Sequence, residues 1–252
     1  MSVPYLTAAF YKFVTLPDFE ARKAPLLALC EQRKVKGLIL LASEGINSTI
    51  AGAADDVRAV LAYLRSDLLL ADLQHKESWS DKPPFHRMKV RLKREIVTMN
   101  VPGISPTRMA GTYVKPAEWN ALIADPDVVV VDTRNDYEVE IGSFAHAINP
   151  NLKTFAELPA WLDQAERLAS ADASGKKPKV AMFCTGGIRC EKAAILMHEL
   201  GLEHVYQIEG GILKYFEEVG GAHYSGGCFV FDERRAVDAQ LQAAPELVNP
   251  SA

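Results

Sequence analysis

Residues 6–14 alternate loosely between apolar and polar positions and are rich in Phe, Tyr and Val, which predicts a strand. Pro17-Asp18 then opens a helical stretch in which Leu26, Leu27, Leu29 and Cys30 recur at helical spacing, with Gly37 as its stop and Cys30 as a core residue. Residues 37–42 and 47–51 read as two strands around the turn Ser43-Glu44-Gly45, and residues 54–65 as a helix with Val57, Val60, Leu61 and Leu64 on one face. Residues 87–93 alternate strictly and close the set as a further strand. The order β-α-β-β-α-β is that of a ferredoxin-like domain. Residues 102–112, rich in Pro, Gly, Ser and Thr and without periodicity, read as a linker. Beyond it, the short apolar runs 128–131, 179–183 and 204–208 are separated by helical segments such as 155–169. That is the pattern of a buried parallel sheet covered by helices. The expected organisation is therefore α/β: a ferredoxin-like domain over 1–101, a linker over 102–112, a second α/β domain over 113–235 and a frayed tail over 236–252.

Composition narrows the function classes. With 48% hydrophobic and 24% charged residues among 252, the chain is expected to be globular, and no apolar run approaches the roughly 18 residues of a membrane span. The first 14 residues show no basic leader with a small-residue cleavage site, so a cytoplasmic location is expected. Cys30, Cys184, Cys190 and Cys228 form no CxxC pair and do not cluster with histidines, which predicts free thiols and no metal site. The net charge of −4 argues mildly against a nucleic-acid partner, but its distribution reverses that reading. Residues 1–74 are balanced, residues 75–115 carry 9 Lys/Arg against 3 Asp/Glu, and residues 116–252 carry 11 against 21. Arg87, Lys89, Arg91 and Lys93 share one face of the predicted strand at about 6.6 Å spacing, close to that of phosphates along a nucleic-acid strand. They are candidate phosphate contacts, or else the solvated face of an edge strand.

The segment Phe183-Cys184-Thr185-Gly186-Gly187-Ile188-Arg189-Cys190 carries the chemistry. A buried strand delivers a cysteine into a glycine-bearing loop, and an amphipathic helix starts at once and stops at Gly201. Backbone N–H groups and the positive end of a helix surround one sulfur there, which favours a nucleophilic thiolate at Cys184. Gly186 and Gly187 let the backbone curl, and Arg189 adds positive charge. Cys190, on the first helical turn, is either a resolving thiol or a residue packed under the loop.

Asp132-Thr133-Arg134 after a valine strand, Tyr137-Glu138, Gly142, His146-Ala147-Ile148-Asn149, the Cys184 loop and Ile208-Glu209-Gly210-Gly211-Ile212 resemble the successive landmarks of a rhodanese domain. The resemblance implies sulfur as the guest of a six-residue loop and a persulfide on Cys184. Glu44-Gly45-Ile46-Asn47, Met88-Lys89-Val90-Arg91, the loop through Lys192 and Phe229-Val230-Phe231-Asp232-Glu233-Arg234 together resemble the bacterial oxygen-dependent tRNA uridine hydroxylases. That resemblance implies hydroxylation of the wobble uridine at C5, molecular oxygen as co-substrate with no bound cofactor, and the anticodon arm of tRNA as partner. Cys184 and Arg189 are then the expected catalytic residues, with Thr185, Gly186, Gly187, Ile188 and Cys190 as their loop. Glu44 and Asn47 are candidate substrate contacts or turn formers, and Trp79, Phe85 and His86, expected to border the basic strand, are candidate base-stacking or core residues. Many members of that family continue past the Asp232-Glu233-Arg234 segment into a cysteine-rich region that has no counterpart here, so no metal is carried over and Cys228 is expected to be a packed thiol. Asp132 and Arg134 are expected to pair structurally, and His146 is not expected to act as a base. A plain sulfurtransferase and a catalytically idle regulatory domain are the remaining readings.

Overall fold

A computed structural model describes residues 4–107, 111–165, 168 and 177–248. The chain divides into two units: one runs through Val97 and takes back Phe231–Arg235 and Leu241–Ala243, and the other comprises Thr98–Val230, Ala236–Gln240 and the segment from Ala244. Residues 108–110 of the expected linker lie outside the described residues.

In the first unit the elements are β1 (Tyr5–Phe13), α1 (Phe19–Gln32), β2 (Lys36–Ala42), β3 (Gly45–Gly52), α2 (Ala54–Arg65), β4 (Lys76–Ser80) and β5 (Met88–Leu92). The sheet order is β4-β1-β3-β2-β5. The side chains of Leu6, Ala8, Phe10, Ile39, Leu41, Ile46 and Ile50 meet Leu26 and Cys30 of α1 and Val57, Val60, Leu61 and Leu64 of α2 in one core. Burial of Cys30 pushes its thiol up to about 11, which suits a core residue. One expectation is corrected. The fourth strand of the set is β4, antiparallel to β1, and the basic segment is a fifth strand, parallel to β2 at the opposite edge. The sequence KESWS of β4 hides its role because none of its residues is buried, so it lacks an apolar alternation. Trp79 lies in β4 and not beside the basic strand: four strand spacings, roughly 19 Å, separate the two edges.

The second unit contains β6 (Thr112–Val114), α3 (Pro116–Ile123), β7 (Val128–Asp132), α4 (Asp136–Val139), β8 (Gly142–Phe144), α5 (Leu158–Gln164), β9 (Lys179–Phe183), α6 (Ile188–Glu199), β10 (Val205–Ile208), α7 (Gly211–Glu218), β11 (Tyr224–Gly226), β12 (Cys228–Phe229) and β13 (Ala236–Val237). Four parallel strands run in the order β6-β10-β9-β7, and β9 is an interior strand. Over the predicted helix 155–169, a 3-10 turn at Phe155–Glu157 leads into α5, the helix breaks at Ala165, Leu168 is helical again, and residues 166–167 and 169 lie outside the described residues. The tail is also not simply frayed. Ala236 and Val237 pair with β12, and Ala244 and Val248 are buried with them, because these small and branched residues supply apolar surface that the prolines obscure in the sequence. Residues 249–252 lie outside the described residues.

Candidate active site

Cys184 stands at the carboxyl end of β9, where open α/β sheets place their ligands. The strand is buried almost throughout, and Cys184 is itself 0% exposed. Gly187, at φ 102°, turns the chain so that its N–H donates to Cys184 Sγ at 3.1 Å and α6 begins with the next residue. The Arg189 N–H also donates to the sulfur, as does the Cys190 thiol. Burial opposes ionisation of Cys184, yet the Cys190 thiol, the Arg189 charge and the two backbone amides together lower it to about 5. Cys190 moves the opposite way: burial and the adjacent Cys184 charge keep it protonated. Cys190 is itself buried on the first turn of α6, with the Thr133 hydroxyl 3.6 Å from its sulfur.

The Arg189 guanidinium does not point freely at the sulfur. Its Nη1 and Nη2 donate to Glu138 Oε2 and Oε1 at 2.5 and 2.8 Å, and Thr185 Oγ1 donates to Oε1 at 3.2 Å. Burial raises the Glu138 carboxyl, but the Arg189 charge and hydrogen bonds outweigh it and hold the group below its ordinary value. The side chain of Arg189 thus positions the loop, while its backbone touches the sulfur. Glu138 is the residue that sequence reasoning placed only as a landmark. Its signal was the spacing Asn135-x-x-Glu138, a capping box at the start of α4 that buries the carboxylate toward the loop.

A second clamp closes the loop from α7. The N–H groups of Ile212 and Leu213 donate to the carbonyls of Cys184 and Thr185 at 3.0 and 3.1 Å. Gly211, at φ 70°, lies so close that a Cβ would sit 2.5 Å from the Cys184 carbonyl oxygen. Gly186 faces the other way: a Cβ there meets nothing within 4 Å. Ile188 opens α6 as its first residue. Asp132 and Arg134 form the expected structural pair, with Arg134 Nε and Nη2 on the carboxylate at 2.9 and 2.6 Å and further bonds to the carbonyls of Glu138 and Gly142. Cys228 is buried and raised to about 12 by desolvation, and its thiol donates to the Phe229 carbonyl at 3.6 Å. His146, at φ 62°, is exposed and lies away from this cluster, beside His223 in a cavity of about 610 Å³ near the start of β7. Among the described residues no group of three or more His, Cys, Asp or Glu is placed to hold a metal ion, and no helix is long and apolar enough to cross a membrane.

In the first unit, Val90 points into the core, which turns Lys89 and Arg91 to the opposite face together with Arg87 and Lys93. Arg87, and then burial and Arg91, push the Lys89 ammonium below its ordinary value, the signature of cations crowded on one face. Glu44 and Asn47 have a defined partner: the Ile96 N–H donates to Glu44 Oε1 at 2.6 Å and Asn47 Nδ2 donates to the Ile96 carbonyl at 2.9 Å. They pin the chain just after the basic strand. His86 is exposed and pairs with Glu233 at 3.4 Å, and Phe85 is half-buried.

Residues 5–96 match the UPF0176 acylphosphatase-like domain and residues 115–218 the rhodanese-like domain. Three curated relatives carry the name tRNA uridine(34) hydroxylase. The one from Albidiferax ferrireducens is 67% identical over 235 residues, covering 92% of this chain and 73% of the relative. That from Acaryochloris marina is 58% identical over 240 residues, covering 94% and 76%. That from Teredinibacter turnerae is 54% identical over 240 residues, covering 94% and 73%.

Proposed function

This chain belongs to the tRNA uridine(34) hydroxylase family, and from that premise we propose that the Cys184 loop is where its reaction takes place. The protein is a tRNA-modifying enzyme that hydroxylates the wobble uridine. The product is 5-hydroxyuridine, and molecular oxygen is the co-substrate. The observation that carries this reading is a sulfur lowered to about 5 and held by two backbone amides at the end of a buried strand. Uracil C5 is a weak nucleophile until a group adds at C6. The Cys184 thiolate adds there once the base has left its stack and electron density rises at C5; one atom of molecular oxygen bonds to that carbon, the other leaves as water with two electrons and two protons from an external thiol-class reductant, and loss of the C5 proton with departure of the sulfur restores the ring. The amides of Gly187 and Arg189 then receive the charge of the departing thiolate. Arg87, Lys89, Arg91 and Lys93 contact phosphates of the anticodon arm, and Glu44 and Asn47 support them by fixing the chain that follows the strand.

The test is nucleoside mass spectrometry of tRNA from a bacterium that lacks wobble-uridine hydroxylation, complemented with this gene or its Cys184→Ala variant. Return of 5-hydroxyuridine derivatives with the unmodified gene alone is the expected result. Their equal return with Cys184→Ala removes Cys184 from the reaction, and their absence with both soluble proteins moves a sulfurtransferase ahead.

A further inference from the structure

Tyr137 is not needed by the loop, yet it sits at the loop's edge with 39% of its surface exposed. It immediately precedes Glu138, the residue that grips Arg189 and Thr185. Its hydroxyl lies within electrostatic reach of Arg189. The ring is fixed at two points: Asn135 Nδ2 donates to its hydroxyl at 3.2 Å, and the ring of Phe229 meets it edge-on at a centroid distance of 5.2 Å and an interplanar angle of 80°. Phe229 follows Cys228, which is buried within electrostatic reach of Glu138, the residue that grips the loop. Both aromatic residues therefore flank one side of the Cys184 loop, and the space over Gly186 is open. An exposed, immobilised aromatic face beside a nucleophile suits a flat, unstacked pyrimidine: it replaces the stacking the base loses on leaving its strand, at little entropic cost to the protein.

We propose that Tyr137, backed by Phe229, is the surface on which the target uracil stacks beside Cys184. The assignment rests on the function proposed above and adds to it the group that receives the base. Two arms test it with the full chain and a 17-nucleotide anticodon stem-loop. In the first, Tyr137→Ala lowers kcat/KM for hydroxylation about 5- to 150-fold, the range expected for one lost base stack, and Tyr137→Phe recovers it to within about threefold, while both keep the melting temperature and the iodoacetamide reactivity of Cys184. In the second, the added fluorescence of Tyr137→Trp is quenched by a stem-loop carrying uridine 34 and much less by one with an abasic site there. Unchanged kcat/KM in Tyr137→Ala, or equal quenching by the two RNAs, overturns the assignment. Selective quenching with no hydroxylation by the unmodified protein leaves the stacking surface standing and removes the reaction assigned to the loop.

Discussion

At Cys184 two opposing effects meet: burial disfavours the anion, and the amides of Gly187 and Arg189 with the Cys190 thiol more than offset it. Alkylation of Cys184 by iodoacetamide should accordingly rise with a midpoint near pH 5 and stay flat from pH 6.5 to 8, where an ordinary thiol is still rising. The same depression links charge to folding. An unfolded thiol titrates near 8.5, so the thiolate's contribution to stability is complete above about that pH, shrinks as pH falls and vanishes below about 5. Denaturant unfolding of the wild type and Cys184→Ser from pH 5 to 9 checks the sign: the wild type should gain on the variant as pH rises. Glu138 is a separate matter. Its carboxylate is 0% exposed against Arg189, and Glu138→Ala leaves that guanidinium buried without its anion, a loss of about 3–5 kcal/mol measured by denaturant unfolding. The strand, glycine loop and helix around Cys184 were visible in the sequence because they stand in consecutive order. The way Arg189 is used was not visible, since its partner lies 51 residues away and only the folded chain brings them together.

Among the elements, the two glycines around the loop make opposite predictions. Gly211→Ala places a methyl 2.5 to 2.8 Å from the backbone of Cys184, Thr185 and Gly187 at a positive φ, so it should cost more than about 1 kcal/mol and reduce hydroxylation at least tenfold. Gly186→Ala meets open space and should melt within a few degrees of the wild type. Thermal melts of the two proteins, run side by side, decide the point. Helix α2 was legible to the residue, because Val57, Val60, Leu61 and Leu64 fall on one face and all four are buried. Strand β9 was equally clear from its unbroken apolar run. Strand β4 escaped because an edge strand with no buried residue leaves no alternation to read, and β6 escaped because its three residues adjoin a Pro- and Gly-rich segment.

For the whole molecule, the basic strand predicts how tRNA binding responds to salt. Neutralising Arg87, Lys89, Arg91 and Lys93 together should raise KM with little change in kcat, and should flatten the dependence of log Kd on log salt by about 3 to 4. Filter binding between 50 and 300 mM salt measures that slope, and an unchanged slope returns the strand to a solubility role. Two α/β patterns were readable along the chain, while the first unit ends at Val97, ahead of the segment 102–112 that composition marked as a linker. The return of Phe231–Arg235 to the first unit was not readable, since no local periodicity encodes a contact with residues far earlier in the chain. That return has a consequence in time. Arg234 Nη1 donates to Ser78 Oγ across 156 residues, and the Glu233 N–H bonds to the carbonyl of Pro84. A ribosome adding about 5–20 residues per second delivers Arg234 roughly 8 to 30 seconds after Ser78. The first unit emerges first but is completed only after the parallel sheet of the second has been made, so its β4 edge waits for a strap that arrives with Arg234.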